Sequence, residues 1–187
     1  MDVIRLRRSV REFSDKEILE TDINTIIDAG ISAPSAKNQQ PWEFIVLNDK
    51  NILNKLSEKL SPLYKKSKVT IILCQRKNDL KSPTRVAQDM SACMQNMMLE
   101  ATKLGIGSCW IGTYPDPERM NPLAEILNIP SHIEPFCGLV LGYPLNDDAF
   151  KEVKREKIVH YNKYNAWDAR SWDCQTNLKR FSLRSKN

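Results

Sequence analysis

No two cysteines of this chain form a CxxC pair, and its only histidines, His132 and His160, stand far apart. Cys74, Cys93, Cys109, Cys137 and Cys174 are odd in number and widely spaced. They read as reduced thiols, which argues against a disulfide framework and against zinc. Long apolar runs are missing too. No stretch of eighteen apolar residues occurs, so no membrane-spanning helix is predicted, and the charged start of the chain lacks the apolar centre of a signal peptide. A cytoplasmic location is expected. The chain also has no internal repeat and no low-complexity tract. Its 187 residues and 41% hydrophobic content suit one domain better than two.

The net charge of +5 is unevenly spread. Residues 151–187 hold ten Lys or Arg against four Asp or Glu, leaving 18 basic and 19 acidic residues before them. The body is therefore nearly neutral. A basic tail can touch nucleic acid or membrane, reach back to a phosphate, or simply be solvated.

Two short stretches carry the chemistry. In Arg7-Arg8-Ser9-Val10-Arg11, three forked, permanently charged donors and one hydroxyl lie within five residues, a set suited to a phosphate dianion. A solvated helix face or a non-specific nucleic-acid arm would have a similar composition. Val3, Ile4 and Leu6 before it and Phe13 after it suggest instead a segment held between apolar anchors. In the second stretch, Pro34 and Pro41 bracket a loop whose Ser35, Asn38, Gln39 and Gln40 offer neutral donors and acceptors. Such groups match the polar edge of a pyrimidine-like ring or a polyol, although a surface loop often has the same residues. The apolar run Trp42 to Leu47 reads as a buried strand that would anchor it.

Ser14-Asp15-Lys16-Glu17 has the form of a capping box, and Thr21 is placed to cap a helix carrying Ile23, Ile26, Ile27 and Ile31. Asn48 or Asp49 can cap a helix with Ile52, Leu53, Leu56 and Leu60, and Val69 to Cys74 reads as a strand. A long helix is expected from about Arg85 to Leu104. Its apolar set is broad and rich in Met, which suits core filling or a subunit interface. Gly105-Ile106-Gly107-Ser108-Cys109-Trp110-Ile111-Gly112 follows a helix and enters a strand, the reverse of the order that cradles a dinucleotide pyrophosphate. Gly105 fits a helix end, and Gly112 a strand exit open to close approach. Asp116 and Pro117 should start another helix, and Pro135 to Gly142 forms the last clear strand.

Taken in order, Arg7 to Phe13, Ala33-Pro34-Ser35 with Asn38, Gln40, Pro41 and Trp42, the segment Gly105 to Gly112, and Gly142-Tyr143-Pro144 resemble the FMN-dependent nitroreductase family. The likeness runs from residue 1 to about Tyr164. It implies an α+β fold with a central, mostly antiparallel sheet flanked by helices. It also implies an intertwined homodimer with two FMN sites between subunits. Arg7, Arg8, Ser9 and Arg11 then match the residues at the FMN phosphate and nearby flavin edge. Pro34, Ser35, Ala36 and Asn38 match the loop that the partner subunit lays against the flavin. Trp110, Gly112 and Thr113 match the segment beside the ring, with the Gly112 N–H as the donor toward flavin N5. Basic residues after the last strand complete the phosphate site, here Lys154 and Arg155, with Lys151 and Lys157 in nearby register.

The implied activity is hydride transfer from NADH or NADPH through FMN to a small-molecule acceptor such as a nitroaromatic, quinone or flavin, in a ping-pong cycle. Nucleic acid, membrane and metal are not expected partners. Two other classes remain open: a flavin-binding protein that stores FMN without turnover, and a basic nucleic-acid-binding module. About ten residues between the strand near Cys74 and the helix near Arg85 leave little room for the helical excursion of larger members. Residues 165–187 extend past the expected domain of 1–164, as an arm on the partner or a disordered tail.

Overall fold

Near-continuous apolar runs give this chain its central layer: successive side chains of a strand point to opposite faces, so such runs need cover on both. The computed structural model describes residues 2–146, 149–153 and 157–164. Four strands, β1 (Trp42–Leu47), β2 (Val69–Arg76), β3 (Gly107–Gly112) and β4 (Ile133–Gly142), form one sheet in the order β1-β2-β4-β3. Every pairing is antiparallel. β1 and β3 are therefore the two edges.

Helices cover both faces. α2 (Glu20–Ile31) and α5 (Val86–Lys103) lie on one side, where Ile26, Met90, Met94 and Met97 pack with Ile71, Leu73, Leu139 and Leu141. α3 (Lys50–Lys59), α4 (Leu63–Lys66) and α6 (Pro117–Ile126) lie on the other, where Leu53, Leu56, Tyr64 and Leu123 meet Ile72, Cys74, Ile111 and Val140. A short helix α1 (Val3–Leu6) begins the chain. The α+β class and the antiparallel sheet agree with expectation. The methionines of α5 are core filling within one chain, each of Met90, Met94 and Met97 being fully buried.

Local signals set several boundaries. The Asp49 carboxylate accepts from the Asn51 and Ile52 N–H groups at the start of α3, and Asp116 accepts from the Glu118 N–H ahead of Pro117 in α6. Gly105, at φ +73°, follows the end of α5. Two expectations fail. Ser14 to Glu17 is not helical; Ser14 N–H donates to the Tyr143 carbonyl, while Asp15 and Glu17 both reach Lys68 Nζ, at 3.0 and 3.6 Å. Long-range partners outcompete the local box. Thr21 does not cap α2, which starts at Glu20 after Leu19; its carbonyl accepts from the Thr25 hydroxyl instead.

Cys74, Cys93, Cys109 and Cys137 are buried free thiols. Burial pushes Cys74 and Cys93 up to about 12, so these sulfurs stay protonated near neutral pH. Among the described residues, no helix is long and apolar enough to cross a membrane.

The chain divides into a unit of Met1–Glu152 and a second of Val153–Asn187. In the second, the rings of His160 and Tyr164 lie 4.3 Å apart. Lys154, Arg155 and the extension from residue 165 fall outside the described residues.

Two sheet glycines admit the N-terminal segment. A Cβ on Gly142 would stand 2.6 Å from Phe13 Cγ, and one on Gly107 would stand 2.9 Å from Val10 Cβ. Neither neighbour is the far end of a flexible chain. Gly142→Ala should therefore lower stability by about 1–3 kcal/mol through overpacking, read as a drop in the urea midpoint at unchanged m-value.

Candidate functional site

Residues 7–13 are laid along the outward edge of β3. Ser9 bridges Ser108 in parallel, the Val10 N–H donates to the Ser108 carbonyl at 2.9 Å, and Phe13 bridges Pro144 beyond β4. The Leu145 N–H donates to the Glu12 carbonyl at 3.1 Å and closes this attachment.

Burial raises the pKa of the Cys109 thiol, while Arg11, the Ser9 hydroxyl and Arg7 all pull it down. Beside them is a shallow cavity of about 180 Å³ lined by Ser9, Val10, Arg11, Glu12, Pro144, Asn146 and Ala149. Arg11 Nη1 donates to the Ser9 carbonyl at 3.2 Å, which steadies its guanidinium.

Arg8 is bound differently. Its Nη1 donates to the carbonyls of Arg5 and Arg7, at 2.9 and 2.6 Å, while Nε and Nη2 are buried without a partner. Leaving donors of a charged group buried and unused is costly, so this end of the site calls for an acceptor.

Antiparallel strands turn each residue's N–H and C=O to the same side and alternate sides along the chain. Since the Ser108 carbonyl faces outward to Val10, the peptide groups of Trp110 and Gly112 face outward too. The Gly112 carbonyl accepts from Arg119 Nη1 at 3.1 Å, and Arg119 is tied to Asp116 at 3.5 Å. Its N–H is left on the open edge. Four residues of antiparallel strand separate Ser108 from Gly112, about 14 Å. Thr113 is buried, and Trp110 is half-buried against the α2–α5 side.

The Pro34–Pro41 loop lies at the opposite edge, before β1. The register Trp42↔Gln75 and Gly112↔Cys137 puts it at the same end of the sheet as Gly112. Three strand spacings, about 14 Å, separate the edges themselves. Ala36–Asn38 form a 3-10 turn, and Lys37, Asn38 and Gln40 have φ of 53°, 52° and 44°. Ser35 Oγ accepts from the Gln40 N–H at 3.0 Å, and Asn38 Oδ1 accepts from Gln40 Nε2 at 2.9 Å.

One expectation for this loop needs correction. Gln39 does not present its amide outward; it is buried, bonded to Asp89 and to the Ser82 backbone. Asp89 of α5 and Arg119 of α6 were not singled out by sequence reading. Asp89 stands among apolar helix positions as the one acid of the first turn of α5, a signal that becomes readable only when that face is known to be buried. Arg119 follows the Asp116 cap by one helical turn.

A larger cleft of about 830 Å³ lies between residues 13–24, α3 and α4, with Asp15, Glu17 and Glu20 opposed to Lys50, Lys65 and Lys68. None of the predicted site residues lines it.

The chain matches the nitroreductase family over residues 4–70 and 57–143. An Archaeoglobus fulgidus protein provisionally named NADH dehydrogenase/NAD(P)H nitroreductase is 41% identical, across 82% of this chain and 90% of its own. A solved FMN-dependent nitroreductase from Clostridium difficile superposes with a TM-score of 0.77 at 27% identity, covering 87% of this chain and 98% of that one. A provisionally named nitroreductase from Desulfovibrio desulfuricans, solved in complex with FMN, gives 0.71 at 27% identity, covering 82% and 90%. On its sequence match and on its fold, the chain belongs to the nitroreductase family.

Proposed function

We propose that this protein is an FMN-dependent NAD(P)H oxidoreductase that passes electrons to nitroaromatic, quinone or flavin acceptors. The observation that carries the reading is the outward edge of β3, with the arginine segment docked at one end through Ser9 and Val10 and the Gly112 N–H at the other. That edge suits a ligand with a phosphate at one end and a polar ring at the other.

The residues fit FMN. Arg7, Ser9 and Arg11 would hold the phosphate with charged donors, and the two buried, unpartnered nitrogens of Arg8 would gain an acceptor. Lys154 and Arg155 are proposed to complete the phosphate shell. Pro34, Ser35, Ala36 and Asn38 would meet the flavin from a second subunit, because the loop and Gly112 sit on opposite edges of one sheet. A homodimer, and not a single chain, then makes each site complete.

When bound, FMN supplies the redox chemistry, taking a hydride from NADH or NADPH and passing reducing equivalents to the acceptor in a ping-pong cycle. The chain's own task is orientation and electrostatics. Arg119 bonds the Gly112 carbonyl and so steadies the strand end, where the N–H of the same residue, on the same open edge, would face the ring edge where charge changes. Trp110 and the buried Thr113 fix the strand on either side of that peptide. The buried cysteines stay protonated and take no part.

Purified protein should carry a flavin spectrum or acquire one on reconstitution with FMN. Anaerobic NADH or NADPH should bleach it, and a quinone or nitroaromatic should restore it. Bound flavin that no nicotinamide reduces would mark a store instead of an enzyme. Changing Arg7 and Arg11 together to alanine should weaken FMN binding by about 1.5–3 kcal/mol per charged hydrogen bond lost, measured by fluorescence titration; unchanged retention by the folded double variant would remove them from the site. Nothing lies within 4 Å of a Cβ placed on Gly112. Gly112→Ala should therefore melt within about 0.5 kcal/mol of the parent, yet bind FMN at least about tenfold more weakly, a loss of about 1.4 kcal/mol, as its methyl meets the ring.

A further inference from the structure

We propose that Asp89 is a positioning residue for the redox site: its carboxylate, bonded to Gln39, holds the Ser35–Asn38 loop in the shape that meets the flavin. The inference rests on the assignment of that loop to the flavin made above.

Asp89 is 5% exposed and uses both oxygens. Oδ1 accepts from the Ala36 N–H at 2.9 Å, inside the loop, and Oδ2 accepts from Gln39 Nε2 at 2.6 Å. Gln39, 7% exposed, is itself saturated. Its Oε1 accepts from the Ser82 N–H at 2.9 Å, and its Nε2 also reaches the Ser82 carbonyl at 3.2 Å. Two buried side chains thereby join the loop, the segment before α5 and α5 itself. Arg76 adds a clamp from β2, donating to the carbonyls of Gln39 and Gln40 at 3.2 and 2.7 Å.

The loop needs such a hold. Lys37, Asn38 and Gln40 are all left-handed and none is glycine, a conformation that residues with a Cβ keep only where surrounding contacts impose it. Fixing the Ala36 N–H sets the Ser35–Ala36 peptide plane. Ser35 Oγ then accepts from the Gln40 N–H and retains its own proton to donate. A carboxylate is required at position 89 because both of its contacts are donors. An asparagine there would set one amide N–H2 against a donor, and turning Gln39 over to relieve this would oppose its amide to the Ser82 N–H.

The test uses Asp89→Asn, Gln39→Glu with Asp89→Asn, and Arg7→Ala with Arg11→Ala, each as the full chain. FMN affinity, visible circular dichroism and midpoint potential at saturating FMN, and apoprotein melting are measured for each. Asp89→Asn should bind FMN at least about tenfold more weakly, the scale of one charged hydrogen bond, with an altered flavin dichroism and potential. The paired exchange keeps the net charge, restores the 39–89 bond with its polarity reversed and leaves the Ser82 N–H an acceptor, but it gives up the longer bond to the Ser82 carbonyl. It should therefore recover affinity and dichroism in part, and it is read in place of Asp89→Asn if that variant fails to fold. Wild-type affinity and dichroism in Asp89→Asn would overturn the proposal. So would a paired variant that regains melting temperature but not affinity, or one no better than Asp89→Asn. Loss of FMN by the arginine variant alone would sink this inference and leave the site assignment standing. Failure of the parent protein to bind FMN at all would sink both.

Discussion

The bond from the Val10 N–H to the Ser108 carbonyl, made along the outer edge of β3, holds the arginine segment on the sheet, and the candidate site depends on it. An edge strand exposes a row of unpaired peptide groups that can template unwanted pairing. Here the first part of that row is taken by residues 8–10, and the end at Gly112 stays open. The docking is close because Gly107 and Gly142 carry no Cβ where Val10 and Phe13 arrive. Without those two glycines the segment would be forced off the edge.

Electrostatics and burial then act in opposite senses on neighbouring groups. At Cys109 burial prevails, so the thiol stays protonated even with two guanidiniums near it. At Arg8 the backbone of Arg5 and Arg7 satisfies one nitrogen and leaves two buried donors unused. Such a group is costly to leave unsatisfied and favourable with an anion or carbonyl beside it. The polar loop is built the other way. Its inward donors and acceptors are matched by Asp89 and Ser82, and its left-handed backbone is held by those matches.

Local rules served well where the deciding partner lay within a few residues. Asp49 and Asp116 each bond to N–H groups two or three positions on, so the starts of α3 and α6 were legible. The apolar runs of β1, β2 and β4 were equally plain. The same rules misled at Ser14–Glu17, where the Ser14 N–H is bonded to the Tyr143 carbonyl and Asp15 and Glu17 pair with Lys68, more than fifty residues away. Gln39 looked like one more outward polar group of its loop. Only its burial against Asp89 shows that it belongs to the scaffold.

By itself, the sequence determined the chemical inventory: the clustered arginines, the proline-bracketed polar loop, the glycines of β3, and the order of elements that places the chain in its family. These are properties of composition and of spacing along the chain, and short-range forces suffice to express them. Tertiary structure decided which of those groups share a direction, which are used up internally and which remain open. Ser9 and Arg11 line one cavity, while Arg8 is turned to the carbonyls of Arg5 and Arg7; Gln39 is consumed and Ser35 is not. The strand order β1-β2-β4-β3 puts the loop and Gly112 on opposite edges. Hydrogen-bond partners fifty residues apart, such as Ala36 and Asp89, are set by sheet order and helix packing, and no local pattern encodes them.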